Sequence, residues 1–582
     1  MPNKDEIADI LESIGQLLEL KGENAFKTRA YANAARTVET YAGNIEFMAR
    51  EGRLMEIPGI GEAIAAKITE LVQTGRLEFY ENLRAEFPAT LFDLFELQGV
   101  GPKKIKALYE QLRVTSIPEL EAACKDGRVA SLAGFGEKTA AKMLTAIQSR
   151  ERYADSYRLG TVAPLAEILL EHLRTHPDVS QACVAGSYRR RKEVVHDLDF
   201  IVATQDPAGV TALFVSHPSV QEVIAQGPTK TSVRLDSGVQ ADLRVVTNEQ
   251  YPFALVYFTG SKEHNVKLRG LALDHGWTLN EYRMAPVEGK KAAPVPAIYE
   301  EADLHEALGL EYIDPELRED RGEIEAAARG ELPHLITLEN LRGTFHNHTT
   351  ASDGRSTLEE MAVAARDLGL EYLGIADHSK SSFQAHGLDA KRLLAQLEEI
   401  RRLNRTFEEF RLFSGTECDI MKDGTLDFPD EVLSQLDYAV ASVHSVFNLP
   451  EAEMTERIIR AISNPHITML GHLTGRLLLT REPYAVDIPA VIEAAAGTGT
   501  WIELNANPQR LDMDWRWWPL AKEKGVRCVI NPDAHKTDGL QHLWFGVAAA
   551  RKGWLTRDDV VNCLPLRKIE SALALKAGKT RK

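Results

Sequence analysis

The first 150 residues place apolar side chains at helical spacing. Ile7, Ile10, Leu11, Ile14, Leu17 and Leu18 recur every three to four positions, one stripe of an amphipathic helix. Three short segments then repeat one pattern: Ile57-Pro-Gly-Ile-Gly61, Leu97-Gln-Gly-Val-Gly101 and Leu132-Ala-Gly-Phe-Gly136, each followed by an Ala- and Lys-rich amphipathic stretch. The repeat predicts helix, glycine hairpin, helix. From about residue 160 the texture changes. Strands are expected at 181–185, 198–202 and 239–246, separated by helices and turns. The charged stretch 312–323 reads as a polar linker. From about 341 to 575, short apolar strands such as 372–376 and 439–443 alternate with amphipathic helices, an α/β pattern in which most strands end in Asp, His or Glu.

Composition changes this picture only in places. A chain of 582 residues is too long for one core and implies several domains. No apolar run approaches the ~20 residues of a membrane span, and the acidic, amphipathic start is unlike a signal peptide. Five scattered cysteines without a CxxC pair fit a reducing cytoplasm, so a cytoplasmic location is expected; a monomer is expected separately, without a sequence feature that fixes it. A net charge of -17 counts against nucleic acid as a partner. Its placement counts for more: basic residues cluster at Lys103-Lys104-Lys106 and at Arg189-Arg190-Arg191-Lys192, and part of the acidic excess lies in motifs suited to cations.

In each hairpin (Gly59 and Gly61, Gly99 and Gly101, Gly134 and Gly136), glycines permit a tight turn and close backbone approach. The helix N-terminus behind it suits a phosphate oxygen. Three copies, two trailed by Lys67 and by Lys103, point to the DNA backbone rather than to plain helix joints. The turns resemble helix-hairpin-helix modules, and residues Ala25 to Leu83, with Tyr31, are similar to the lyase-like N-terminal domain of family X DNA polymerases. By that resemblance Lys67 occupies the position of a Schiff-base nucleophile, with Ala63 and Ala66 where polar neighbours usually stand; a plain phosphate contact is the alternative.

Asp197 and Asp199 alternate on a strand, so both carboxylates project from one face, about 6–7 Å apart along the chain. Asp242 lies in a second apolar run that could pair alongside. Three such carboxylates suit two hard cations, Mg²⁺ or Mn²⁺, able to activate a 3′-hydroxyl and stabilise leaving pyrophosphate. Gly186 and Ser187 fit nucleotide phosphates, and Arg189 and Arg190 would neutralise charge as pyrophosphate leaves. The segment resembles the nucleotidyltransferase palm, and 257–261 with 279–282 narrow it to family X polymerases. The resemblance implies that Tyr257 and Phe258 wall the incoming sugar, with Gly260 in the same turn, that Asn265 meets the base edge, and that Arg269 meets the template. Arg191, His196 and Lys262 depart from the usual residues without removing a metal ligand.

The last third holds His346, His348, Asp353, Asp377-His378, Glu417, His444, His472 and Asp533-Ala-His535, largely at strand ends, where an α/β sheet builds its site. Mixed imidazole and carboxylate ligands suit Mn²⁺, Zn²⁺ or Fe²⁺. The pattern resembles the polymerase and histidinol phosphatase (PHP) domain, a distorted (α/β) barrel. Carried over, His346, His348, Asp353, His378, Glu417, His444, His472, Asp533 and His535 fill its nine ligand places for two to three metals. Asp377 reads as a supporting acid and His386 as a loop histidine. Asp512-Met-Asp-Trp515-Arg-Trp517-Trp518 is either a base-stacking platform or core packing.

The expected architecture is a helical helix-hairpin-helix region (1–88 lyase-like, 89–155 a further DNA-binding subdomain), an α+β palm (156–247), a thumb for nucleotide selection (248–315), a linker (316–340) and a PHP barrel (341–575). The resemblance implies a polymerase that fills short gaps in gapped or nicked DNA with deoxynucleoside triphosphates during base excision repair. It implies 3′–5′ exonuclease, with abasic-site endonuclease or 3′-end cleaning, in the barrel. A nuclease with a polymerase-derived clamp, a phosphatase unconnected with DNA, and a structural DNA-end binder are the rivals.

Overall fold

The computed structural model describes residues 2, 4–41, 44–97, 99–289 and 294–576. The chain divides into two compact units at Ala154/Asp155. Among the described residues no helix is long and apolar enough to cross a membrane.

The first unit is helical. Its first helix, α1 (Lys4–Lys21), packs along α2 (Ala25–Thr40). The stripe read from the sequence is the buried one: Ile7, Leu11, Ile14, Leu17 and Leu18 enter a single core that also receives Ile64, Ile68, Ile105 and Leu108. Those four come from α3 (Glu62–Thr74) and α4 (Pro102–Leu112), the helices that follow the first two glycine hairpins; α5 (Gly136–Arg152) follows the third.

The second unit opens on a five-stranded sheet: β1 (Val179–Val184), β2 (Asp197–Thr204), β3 (Val220–Gln226), β4 (Lys230–Leu235) and β5 (Gln240–Val246), in spatial order β1-β2-β5-β4-β3. Only β2 and β5 run parallel. Their centre is sealed by Leu198, Phe200, Ala241 and Leu243. The helices α6 (Tyr251–Thr259), α7 (Lys262–Asp274) and α8 (Glu301–Ala307) follow.

The stretch with linker composition is packed. Leu317, Arg318 and Glu323 are buried, and α9 (Glu323–Arg329) lies within it. Its charges are paired internally: Arg318 with Glu301, and Glu323 with His264 at 2.7 Å. Polar composition alone does not distinguish solvated charge from charge satisfied by distant partners.

Apart from two short antiparallel pairs, Tyr157–Arg158 with Val194–Val195 and Trp277–Leu279 with Met284–Pro286, the remaining strands are parallel: β6 (Gly343–Thr344), β7 (Tyr372–Ile375), β8 (Arg411–Ser414), β9 (Glu417–Asp419), β10 (Val440–Ser442), β11 (Met469–Leu470), β12 (Trp501–Asn505) and β13 (Cys528–Asn531). A bridge from His378 to Glu417 joins the two sheets, and one from Asn347 to Ala534 returns the last strand to the first. The result is a closed, irregular parallel barrel, with α10 (Leu543–Lys552) on its outside. Trp515 and Trp518 are buried in its core, so packing claims that cluster.

Candidate active sites

Each glycine hairpin turns alike. The amides of Ile60, Val100 and Phe135 donate to the carbonyls of Ile57, Leu97 and Leu132, all at 3.1 Å. Gly59, Gly99 and Gly134 adopt positive φ, which explains them. Gly61 and Gly101 do not: their φ values are -85° and -82°, and a Cβ on either would meet nothing within 4 Å. Neither strain nor internal space demands glycine there. The helix ends behind them have no side-chain cap, so first-turn N–H groups remain for an anion. Gly136, at φ 68°, starts α5. Lys104 Nζ donates to the Gly99 carbonyl at 2.6 Å, while Lys103 is exposed. Lys67 Nζ donates to the Ala63 carbonyl (3.3 Å) and lies 4.5 Å from the centroid of Phe79.

In the palm, the strand register settles what sequence spacing left open. Asp199 on β2 is the direct neighbour of Asp242 on β5, with Asp197 two residues earlier on the same face. Burial and then the charges of Asp197 and Asp242 push the Asp199 carboxyl up to about 7. Burial and Asp242 raise Asp197. Burial also acts upward on Asp242, but hydrogen bonds from Lys230, Ser232 and Gln240 outweigh it and lower the group; Lys230 Nζ stands 2.6 Å from its Oδ2. Three crowded carboxylates, one of them raised by burial and then by its neighbours' charge, form a hard-oxygen set that fits divalent cations. Gly186 borders them: at φ 62°, its added Cβ would lie 2.6 Å from Asp199 Oδ2. Ser187 follows in the same turn.

The two arginines behind that turn have different partners. Arg189 pairs with buried Glu301 (2.5 Å) and donates to Thr259 Oγ1 (2.8 Å). Arg190 donates to Glu319 (3.1 Å) and to the Thr259 carbonyl. Buried Lys552, on α10 of the barrel, donates to the Arg190 carbonyl and to Glu319, both at 2.8 Å. The departures also find contacts: Arg191 lies over Trp544 of the barrel at 4.5 Å, and His196 Nδ1 donates to the Asp155 carbonyl at 2.7 Å. Tyr257, Asn265 and Arg269 share one small cleft on α6 and α7, where Asn265 Nδ2 donates to the Tyr257 carbonyl (2.7 Å). Phe258 stacks beneath Arg244 at 4.0 Å, and Gly260 ends α6.

At the carboxyl ends of the barrel strands, three overlapping sets converge: His348, Asp353, His378 and His535; His346, His348 and Asp533; and His378, Glu417 and His444. His472 completes the group, with Nε2 2.9 Å from Glu417 Oε1. All nine residues read from the sequence therefore meet. Burial opposes charge on Glu417 and Asp533, yet the surrounding histidines hold both well below the usual carboxylate range. Burial lowers His348 to about 4, helped by His535 and His378. The opposite balance holds at His444, where Glu417 and Asp419 overcome burial and lift it to about 10. Six buried nitrogen and oxygen atoms lack a hydrogen-bond partner: Nε2 of His346, both ring nitrogens of His348, Nδ1 of His378, Oε2 of Glu417 and Nδ1 of His472. Each unsatisfied buried group costs about 1–3 kcal/mol. Such a concentration fits residues built to ligate metal.

Supporting carboxylates orient these groups. Asp377 accepts from Thr349 N (2.8 Å), Thr349 Oγ1 (2.7 Å), Gln396 and Ser352, which fixes the loop between His348 and Asp353. Sequence reasoning missed Glu503 and Asp419. His346 Nδ1–H donates to Glu503 (2.6 Å), which turns Nε2 toward the cluster, and His444 Nδ1–H donates to Asp419 (3.0 Å). Alternation was the available signal: Glu503 with Asn505 on β12, and Asp419 with Glu417 on β9.

Known proteins share these parts. Residues 1–77 match the helix-hairpin-helix domain, 92–149 the SAM-like helix-hairpin-helix tandem, 254–319 the DNA polymerase beta thumb and 344–507 the PHP domain. Asp533 and His535 lie beyond the last matched segment but inside the cluster. A 229-residue segment of this chain, 37% of its length, is 29% identical to a "probable phosphatase" of Thermoanaerobacter sp. over 88% of that protein. A segment of 209 residues is 31% identical to a "probable phosphatase" of Caldicellulosiruptor saccharolyticus, over 33% of this chain and 80% of that protein. The "DNA polymerase/3'-5' exonuclease PolX" of Bacillus subtilis is 39% identical over 98% of this chain and 99% of its own. With that identity over nearly the whole of both chains, the chain belongs to the bacterial family X DNA polymerases that carry a C-terminal PHP domain.

Proposed function

We propose that this protein fills short gaps in DNA at the palm and shortens 3′ ends in the barrel, as a repair polymerase with 3′–5′ exonuclease activity. The observation that carries the reading is the register of Asp199 against Asp242, which assembles three carboxylates beside the Gly186-Ser187 turn. Asp197, Asp199 and Asp242 would hold two Mg²⁺ or Mn²⁺ ions, and the nine barrel residues two to three Mn²⁺, Zn²⁺ or Fe²⁺ ions. Bound there, the metals supply Lewis acidity for phosphoryl transfer and an activated nucleophile.

The chain's own residues do the rest. The Gly186 backbone and Ser187 hydroxyl receive the triphosphate of a deoxynucleotide. Arg190 contacts it by exchanging the Glu319 carboxylate for a phosphate oxygen, while Arg189, committed to Glu301, braces the turn. Tyr257, Phe258 and Gly260 line the sugar, Asn265 the base edge, and Arg269 the template. Gly59, Gly61, Gly99, Gly101, Gly134, Gly136 and Lys103 hold the backbone of gapped or nicked DNA without reading sequence. Lys67, with a carbonyl and an aromatic face as its neighbours, serves as a phosphate contact rather than a Schiff-base nucleophile.

A one-nucleotide-gapped duplex labelled at the primer 5′ end tests this, with Mn²⁺ and with or without deoxynucleotides. Extension should disappear in Asp197→Ala/Asp199→Ala and shortening in His346→Ala/His348→Ala. Wild type that shortens but never extends would reduce the palm to a clamp. Wild type that does neither, yet cleaves a small phosphate ester, would remove DNA from the reading.

A further inference from the structure

The loop after His378 carries an aromatic ring that the metal-ligating set does not use. Residues 379–387 close on themselves: Leu388 N–H donates to the His378 carbonyl (2.7 Å) and Gly387 N–H to the Ser382 carbonyl (3.2 Å). A Cβ on Gly387 would overlap the Ser379 carbonyl, so the two arms meet only because that residue is glycine. The tip is tied to the metal-ligating cluster. Ser382 Oγ donates to Asp419 (2.6 Å) and lies 3.4 Å from His444 Nδ1. The next residue, Phe383, is 74% exposed. Full burial of a phenylalanine stabilises a fold by roughly 1.5–3 kcal/mol; a ring fixed in water on a braced loop forgoes that contribution.

Phe383 walls a cavity of about 410 Å³ together with Lys380, His386, Thr350 and Ser352. Its two sides are the loops that carry ligand residues, one running from His348 to Asp353 and the other following His378. Arg392 braces them, donating to the carbonyls of Ala351, His386 (2.9 Å) and Gly387 (3.2 Å). Lys380 is exposed, and among the described residues no carboxylate pairs with it. An aromatic face, a free ammonium and a volume in the range of small-ligand sites, roughly 300–1,000 Å³, thus open beside the hydrolytic centre. The tryptophans near 515 cannot supply such a face, because the core holds them.

We propose that this cavity receives the 3′-terminal nucleotide of the strand being shortened, with its base stacked on Phe383 and a backbone phosphate at Lys380. The proposal rests on the reading of the barrel as a 3′–5′ hydrolytic centre. Stacking on an aromatic side chain is sequence-tolerant and contributes roughly 1–3 kcal/mol per base, so discrimination should fall between a base and no base rather than among bases.

The test compares kcat/KM for removal of a normal 3′-terminal nucleotide with removal of a 3′-terminal tetrahydrofuran (abasic) nucleotide from the same single strand, in Mn²⁺. Wild type should favour the base-bearing end on the order of tenfold. Phe383→Ala should bring that ratio close to one, and Phe383→Trp should restore it. Lys380→Ala should slow both ends alike. A ratio unmoved by Phe383→Ala, in a protein that shortens both ends, overturns the pocket and leaves the exonuclease reading intact. Wild type that shortens neither end overturns the hydrolytic reading and this proposal with it.

Discussion

Replacing Glu301 with Gln removes one buried negative charge that two guanidinium groups share. Glu301, 6% exposed, accepts from Arg189 Nη1 (2.9 Å), Arg189 Nη2 (2.5 Å) and Arg318 Nη1 (2.7 Å). Burial alone would raise its carboxyl, but Arg318 and Arg189 hold it well below the usual range. Arg318 is fully buried, and its other terminal nitrogen has no hydrogen-bond partner. Removing one partner of a buried pair costs about 3–5 kcal/mol, because an uncompensated charge stays behind. The amide keeps part of the hydrogen bonding, so the lower figure applies, about 3 kcal/mol. Since Arg189 also holds Thr259, the loss should be felt at the Gly186–Arg190 turn and at the end of α6. In a multidomain chain, global unfolding is not two-state, so amide hydrogen exchange at those segments is the suitable assay. A shift of about 3 kcal/mol in local opening corresponds to exchange roughly 100-fold faster, and the KM for deoxynucleotide should rise with it. Exchange within threefold of wild type would refute the reasoning, because Glu301 would then not be the counter-ion that holds the turn.

Burial, and then the charge of Arg318, lowers buried His305 to about 3. Its folded value lies below the unfolded ~6.5, so its contribution is complete above pH 6.5 and falls by about 1.4 kcal/mol per unit of pH between there and about 3. Between pH 7 and pH 5 the local stability lost at α8, read by amide hydrogen exchange corrected for intrinsic rate, should therefore be about 2 kcal/mol smaller in His305→Gln than in wild type. Glu503→Gln should weaken metal binding by the barrel about 10–100-fold without touching a ligand; calorimetric titration showing less than a twofold change would count against its orienting role. Lys67→Ala should lower the slope of log affinity against log salt for gapped DNA by about one, and borohydride should trap no adduct between wild type and an abasic end.

Much of this protein is legible residue by residue. The helical stripe from Ile7 to Leu18 becomes a core because a 3.6-residue period needs nothing beyond α1 to define its face. The hairpins are readable because a G-x-G turn is local. His346 and His348 announce themselves by alternation and by lying where a parallel strand ends. Other features resist reading because their partners are far along the chain. Arg189 looks like a phosphate ligand until Glu301, more than a hundred residues later, claims it. Trp515 and Trp518 offer aromatic faces until the barrel core closes over them, while Phe383, unremarkable in sequence, is left outside. The charges near Arg318 resemble a solvated linker until Glu301 and His264 pair with them.

By itself, then, the sequence determined the order of helical, α+β and α/β regions, the acids and histidines that could gather as ligands, and the glycine turns, since periodicity, turn geometry and donor type are properties of neighbouring residues. Tertiary structure decided which carboxylates stand side by side, which acid each arginine pairs with, which aromatic ring remains in solvent, and how Lys552 of the barrel comes to hold the palm at Arg190. Those outcomes depend on strand order, closure of the barrel and the pairing of buried charge. All three are set by contacts between residues far apart in the chain.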